Sequence, residues 1–214
     1  MKAAMKWMDA IERKMGRRYI RDLMKYLCIA MAGVFVLEYL PLSKSAYALL
    51  AFDRAAIMRG EIWRIITFVF LPPSGSIFWI VISLYFYYFL GSGLESRWGG
   101  ARFNLYYLLG VICNIAAGFI SGHATNEYLN LSLLLCFAVV YPEVSINIFY
   151  FLPVKVKWIG LADGLYLCYQ LLIISWPQKL ALLVSMLPVL LFCGGQLWMR
   201  ARVIVRRLTY KWKA

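Results

Sequence analysis

The chain has 214 residues, 63% of them hydrophobic and only 15% charged, and it carries a formal net charge of +13. Soluble domains hold about a quarter charged residues, so this composition excludes an ordinary aqueous globule and predicts an all-α polytopic membrane protein built as one bundle. The charge sits at the ends: eight basic residues precede or open the first apolar run and six follow the last. That placement implies contact with anionic lipid rather than nucleic acid.

The five cysteines (Cys28, Cys113, Cys136, Cys168, Cys193) all fall in apolar segments, with no C-x-x-C pair, and His123 is the single histidine. They read as reduced thiols used as small apolar residues, with no metal site and no cofactor.

In chain order, residues 1–23 predict an interfacial helix, with Met1, Met5, Met8, Ile11 and Met15 at helical spacing among Lys2, Lys6, Asp9 and Arg13. Its charge is spread over about 25 residues, unlike a cleavable leader. A first span is expected over residues 23–40, ended by Pro41. Residues 43–75 form a connection too apolar for an aqueous loop, in pieces too short to cross about 30 Å of hydrocarbon; they are expected to lie in the outer interface. Further spans are expected over 77–95, 103–121, 128–141, 158–176 and 180–199. Pro142 stops the fourth, a short apolar piece over 144–152 follows it, Pro177 separates the last two, and Pro188 kinks the sixth.

Six spans place both ends on one side. That side holds eighteen of the 23 basic residues and the other side five, which predicts cytoplasmic termini. The domain reading is a basic amphipathic segment over 1–23, a six-helix membrane domain over 24–200 and a basic tail over 201–214. The expected location is a cell membrane, read as the bacterial cytoplasmic membrane, with the lipid bilayer as the first partner.

Two motifs flank the second span. Trp63-Arg64 lies in the long first loop, and Gly91-x-x-x-Glu95-x-x-x-Gly99 closes the helix that follows. Trp suits the membrane interface, Arg ties loop carbonyls together, and the glycines admit close helix contact. Together, in this order and over roughly residues 45–200, they resemble the rhomboid family of intramembrane serine proteases and their derlin-like relatives. Pro142-Glu143 with Leu152-Pro153-Val154-Lys155-Val156-Lys157-Trp158 resembles a stretch of bacterial rhomboid-like proteins. The resemblance implies a six-helix fold with a lateral opening beside the first loop.

The same resemblance locates the chemistry, and the chain departs from it. Where the family's Gly-x-Ser-Gly nucleophile is expected stands Asn130-Leu131-Ser132-Leu133, without the glycines. The family's base is a histidine on the sixth helix, and residues 180–199 contain none. The oxyanion positions fall on Trp79 and Ser83. Serine without an adjacent base is a poor nucleophile. The weak catalytic candidates are thus Ser132 and His123, the latter in an outer turn nine residues away.

Other polar residues are expected to be structural or client-facing. Asp163 lies within the fifth span, where Lys155 or Lys157 is expected to pair with it. Asn104, Asn114 and Asn130 are expected to cross-link helices, and Glu38 to meet water or a loop arginine. The reading is a non-catalytic rhomboid-like protein that binds other transmembrane segments through groups such as Trp79, Ser83, Asn130 and Asp163. The alternatives are an active protease using Ser132 with an unconventional base, and a small transporter or assembly factor. Oligomeric state and client are left open.

Overall fold

The computed structural model describes residues 19–38, 45–73, 75–148 and 152–196, with Met199 and Arg202. Of the segment over 1–23 expected to be an interfacial helix, residues 1–18 lie outside the described residues, as does nearly all of the basic tail.

The chain is mostly helical, with α1 at Leu23–Glu38, then a first connection holding α2 (Ala46–Leu50), β1 (Phe52–Asp53), α3 (Arg54–Met58), α4 (Arg64–Thr67) and a 3-10 turn at Phe68–Phe70. The long helices α5 (Ile77–Trp98) and α6 (Gly100–Ser121) follow, then β2 (His123–Ala124) and α7 (Glu127–Val140). The hairpin β3 (Ser145–Ile148) and β4 (Leu152–Lys155) leads into α8 (Val156–Ile173), α9 (Trp176–Ser185) and α10 (Leu187–Gln196). By length and composition α5 and α6 can each cross a membrane, and α9 with α10 forms a broken third candidate bent by 50°.

Helix α7 is the centre of the bundle. Leu129, Leu133, Cys136 and Phe137 are buried on it, and α5, α6, α8 and α9 all pack against it. Around it the helices are apolar on both faces. Met24, Leu27 and Met31 of α1 point inward while Tyr26, Ile29 and Val36 are exposed; on α8 Gly160 and Leu167 are buried while Leu165 and Leu172 are exposed. In water so large an apolar belt would be an association surface; hydrocarbon is the solvent it fits.

Two antiparallel pairings define the ends. Phe52 pairs with Ala124 and Asp53 with His123, so the first connection and the turn after α6 share one end. We call it the outer end, following the charge reading. At the opposite end the Asp22 amide bonds to Glu95 at 2.9 Å, and the Tyr141 hydroxyl reaches the Gly93 carbonyl at 3.3 Å.

Several boundaries differ from the sequence reading. Residues 19–22 form a turn ahead of α1, with Asp22 left-handed at φ 53°. Within the stretch expected to be a short apolar piece, Ser145–Ile148 instead pairs antiparallel with Leu152–Lys155, registered Ser145 to Lys155 and Ile146 to Val154, because extended segments complete their backbone hydrogen bonds on each other. Helix α9 starts at Trp176: Ser175 and Gln178 form a capping box, and Pro177 fits the first turn, where a proline loses no hydrogen bond. The expected kink appears as a break at Met186, two residues before Pro188, whose ring cannot follow a straight helix.

Candidate functional site

The first connection is organised by Trp63, Arg64 and Thr67. The short helix α2 ends with four carbonyls lacking helical partners, the usual fate of a helix C-terminus. Arg64 donates to Ala48 O at 2.6 Å and Ala51 O at 2.9 Å; Trp63 Nε1 donates to Leu49 O at 3.2 Å; Thr67 Oγ1 donates to Leu50 O at 2.9 Å. Arg64 is buried and its Nε holds Glu61 at 2.6 Å, so the charge is compensated. Thr67 was not singled out from the sequence, although its place three residues after Arg64 puts it on the same helix face.

Asn126 completes the shelf from below. Its amide donates to Val69 O at 3.2 Å and to Leu71 O, joining the first connection to the start of α7. Asp53 caps α3 by accepting from Ala55 and Ala56, and these amides hold its carboxyl below the ordinary range.

The second motif works at the other end. A Cβ on Gly91 would overlap Met24, so this glycine is what lets α1 lie against α5. Glu95, one turn on, accepts from the Asp22 amide at the start of α1. Gly99 has φ +86° and makes the reversal into α6, a conformation that L side chains rarely adopt.

Ser132 is completely buried. Its hydroxyl donates to Leu129 O at 2.7 Å, so in the contact with Tyr106 at 2.8 Å it is the tyrosine that donates. The oxygen that would attack is thus held by its own helix and by a phenol that is no base at neutral pH. His123 is exposed at the outer end, on β2. Among the described residues its imidazole forms no hydrogen bond, and no contact joins it to Ser132. Tyr106 had no signal in the sequence beyond being a tyrosine on the third span.

A cavity of about 220 Å³ opens at the outer end, lined by Asn114, His123, Glu127, Tyr128, Gln178 and Ser185 among others. On its lining Ser185 Oγ, whose single proton is shared between Ala181 O at 2.9 Å and Asn114 Oδ1 at 3.3 Å, links α9 to α6; Asn114 also donates to Gly110 O. Asn104 donates to Ile20 O and Gly100 O, tying the turn before α1 to α6. Both asparagines therefore cross-link elements.

Asn130 is buried between helices with the Tyr87 hydroxyl of α5 facing it, yet among the described residues neither its amide nor the nearby Tyr107 hydroxyl has a partner at hydrogen-bond geometry. Asp163 is also buried, and among the described residues neither carboxyl oxygen has a partner. The expected pairing of Asp163 with Lys155 or Lys157 does not occur: both lysines bond to Glu143 at 3.0 Å. The reason is axial distance. Asp163 lies six residues past Lys157, about 9 Å along the helix, while Glu143 sits in the turn beside them. Glu38 accepts from Ser45 Oγ and the Tyr47 amide, anchoring α2 instead of a loop arginine.

Trp79 and Ser83 lie on the outer half of α5. Trp79 is 55% exposed and Ser83 half-buried, alongside exposed Phe78, Val81 and Tyr85. Only Ile80 is buried in that half, whereas Leu90, Gly91 and Leu94 are buried in the inner half. The arrangement can hold polar groups within an apolar wall, and among the described residues no nucleophile and base are in contact.

Compared with protein-family models the chain matches none, and no curated protein matches it in sequence.

Proposed function

We propose that this is a non-catalytic, rhomboid-like integral membrane protein with six spans and cytoplasmic termini, which binds transmembrane segments of other proteins. The observation that carries the reading is Ser132: the residue matched to the nucleophile position is buried, donates to Leu129 O and accepts from Tyr106, with no base in contact among the described residues. The Trp63–Arg64 shelf and the Gly91–Glu95–Gly99 seam support the scaffold. The loosely covered outer half of α5 supports a lateral entry, and the buried Asn130, whose side chain has no hydrogen-bond partner among the described residues, is a polar group that a client's backbone or hydroxyl can satisfy. Such bonds are worth about 1 kcal/mol each in a bilayer, enough to bias binding toward clients that carry a polar group at the same depth.

The test is association in proteoliposomes between the full chain and labelled single-span peptides, read by energy transfer. A leucine peptide carrying a midplane asparagine should associate several-fold better than the all-leucine peptide, and Asn130→Leu should remove the difference. Equal association of both peptides overturns the reading. Cleavage of either peptide, lost in Ser132→Ala, replaces it with an active intramembrane protease.

A further inference from the structure

Cys136 and Cys193 come from segments that look unrelated in the sequence, 57 residues apart, yet their sulfur atoms lie 2.8 Å apart. Both side chains are completely buried. Cys136 is on the central helix α7, one turn after Ser132 and on the same face. Cys193 is on α10, beyond the break at Met186. Tyr106 lies beside both thiols, and its ring belongs to an aromatic cluster with Trp98 and Phe192, the residue next to Cys193, with centroids 5.4–5.8 Å apart. The other three cysteines are placed differently: Cys28 faces Leu84 O, Cys113 is buried on α6, and Cys168 is exposed on α8. Among the described residues no other two cysteine sulfurs are in hydrogen-bonding contact.

We propose that Cys136 and Cys193 form a dithiol–disulfide site that staples α10 to the centre of the bundle. A disulfide needs sulfur atoms at about 2.05 Å, a small movement from the separation present here. Oxidation breaks two S–H bonds and forms one S–S bond. The two electrons and two protons pass to a two-electron acceptor of the quinone class, which leaves as the hydroquinone. Burial in an apolar, aromatic setting selects a small lipid-soluble acceptor over a charged one. The mechanical effect follows from the break at Met186: α10 is joined to α9 by a bend, and a bond from Cys193 to α7 fixes its position. The site stands whether or not the bundle handles client helices.

The experiment uses the full chain in proteoliposomes, treated with tetramethyl-1,4-benzoquinone, whose blocked ring cannot add thiols. The protein is then denatured with excess N-ethylmaleimide and weighed intact. The untreated chain should take up five maleimides and the oxidised chain three, with a Cys136–Cys193 peptide recovered after digestion. Cys168→Ser leaves the pair intact and should go from four to two. Cys193→Ser should keep all four of its maleimides after oxidation. Five maleimides on the oxidised wild type overturn the proposal, as does a linked peptide joining any other two cysteines.

Discussion

The Arg64 guanidinium donates to the carbonyl of Ala48 at 2.6 Å, from a helix of four residues to a helix of five. Neither helix is long enough to be stable alone. Side chains of the four-residue helix, with Trp63 before it, satisfy the C-terminal carbonyls of the five-residue one in exchange for the water those carbonyls would otherwise bind. In an apolar interface, where water is scarce, that exchange decides whether the connection has a shape at all.

Arg64→Ala leaves the Ala48 and Ala51 carbonyls and the Glu61 carboxylate without this partner. Charged hydrogen bonds contribute about 1.5–3 kcal/mol each and are not additive, so a loss of roughly 3 kcal/mol is expected. Arg64→Lys should recover less than half, since an ammonium lacks the planar fork that reaches several acceptors. The unfolding midpoint in a mild detergent measures both; a wild-type midpoint for Arg64→Ala would show that the shelf is held by other contacts.

Gly91→Leu forces a side chain into the space of Met24. Overpacking of this kind costs about 1–3 kcal/mol, and the loss should fall on the α1–α5 seam. Met24→Ala in the same chain should restore part of it, because the two changes share one cavity. A double-mutant cycle measures the coupling, and simple additivity would place the clash elsewhere.

Ser132→Ala should change no hydrolytic activity and should cost about 1–2 kcal/mol, the penalty for leaving the buried Tyr106 hydroxyl unpaired. Tyr106→Phe combined with Ser132→Ala should be milder than Ser132→Ala alone, since both polar partners are then gone. A fluorophosphonate probe for serine hydrolases should label neither wild type nor variant.

Glu143 lies in the turn ahead of the hairpin, outside the membrane-spanning segments. Its hydrogen bonds to Lys155 and Lys157 hold its carboxyl below the ordinary value. A lowered folded pKa means that the contribution is present above the unfolded value of about 4.3 and is lost as pH falls through the folded one. The group is fully exposed, so the effect is small and screened by salt. Amide exchange of the hairpin should quicken as pH is lowered through that window after correction for intrinsic rates, and Glu143→Gln should remove that acid-side change.

The class of the protein was legible in the residues. A composition of 63% apolar positions leaves no aqueous solution for the chain, and the positions of α5 and α6 follow from runs too long to hide in a soluble core. The residues Trp63, Arg64, Gly91, Glu95 and Gly99 stand out in the chain as a spaced set, but of their roles only the turn at Gly99 is local; Arg64 on Ala48, Gly91 on Met24 and Glu95 on the Asp22 amide are contacts between elements distant in sequence. The hairpin before α8 and the early start of α9 were less legible. Extended pairing at Ser145–Lys155 and a capping box at Ser175–Gln178 depend on partners that an apolar profile does not register.

What the sequence determined by itself was the solvent of this chain, the order of its apolar helices and the local motifs that start, stop and join them. Only the tertiary structure decided which side chains meet. It placed Tyr106 on Ser132, Lys155 and Lys157 on Glu143 instead of Asp163, and Cys193 against Cys136. The physical reason is that helix formation answers to neighbours three or four residues away, whereas a hydrogen bond or a sulfur contact between helices depends on rotation and depth of packing. Those are set by the whole bundle, through the fit of residues such as Gly91 on Met24 and Gly160 on Ala138.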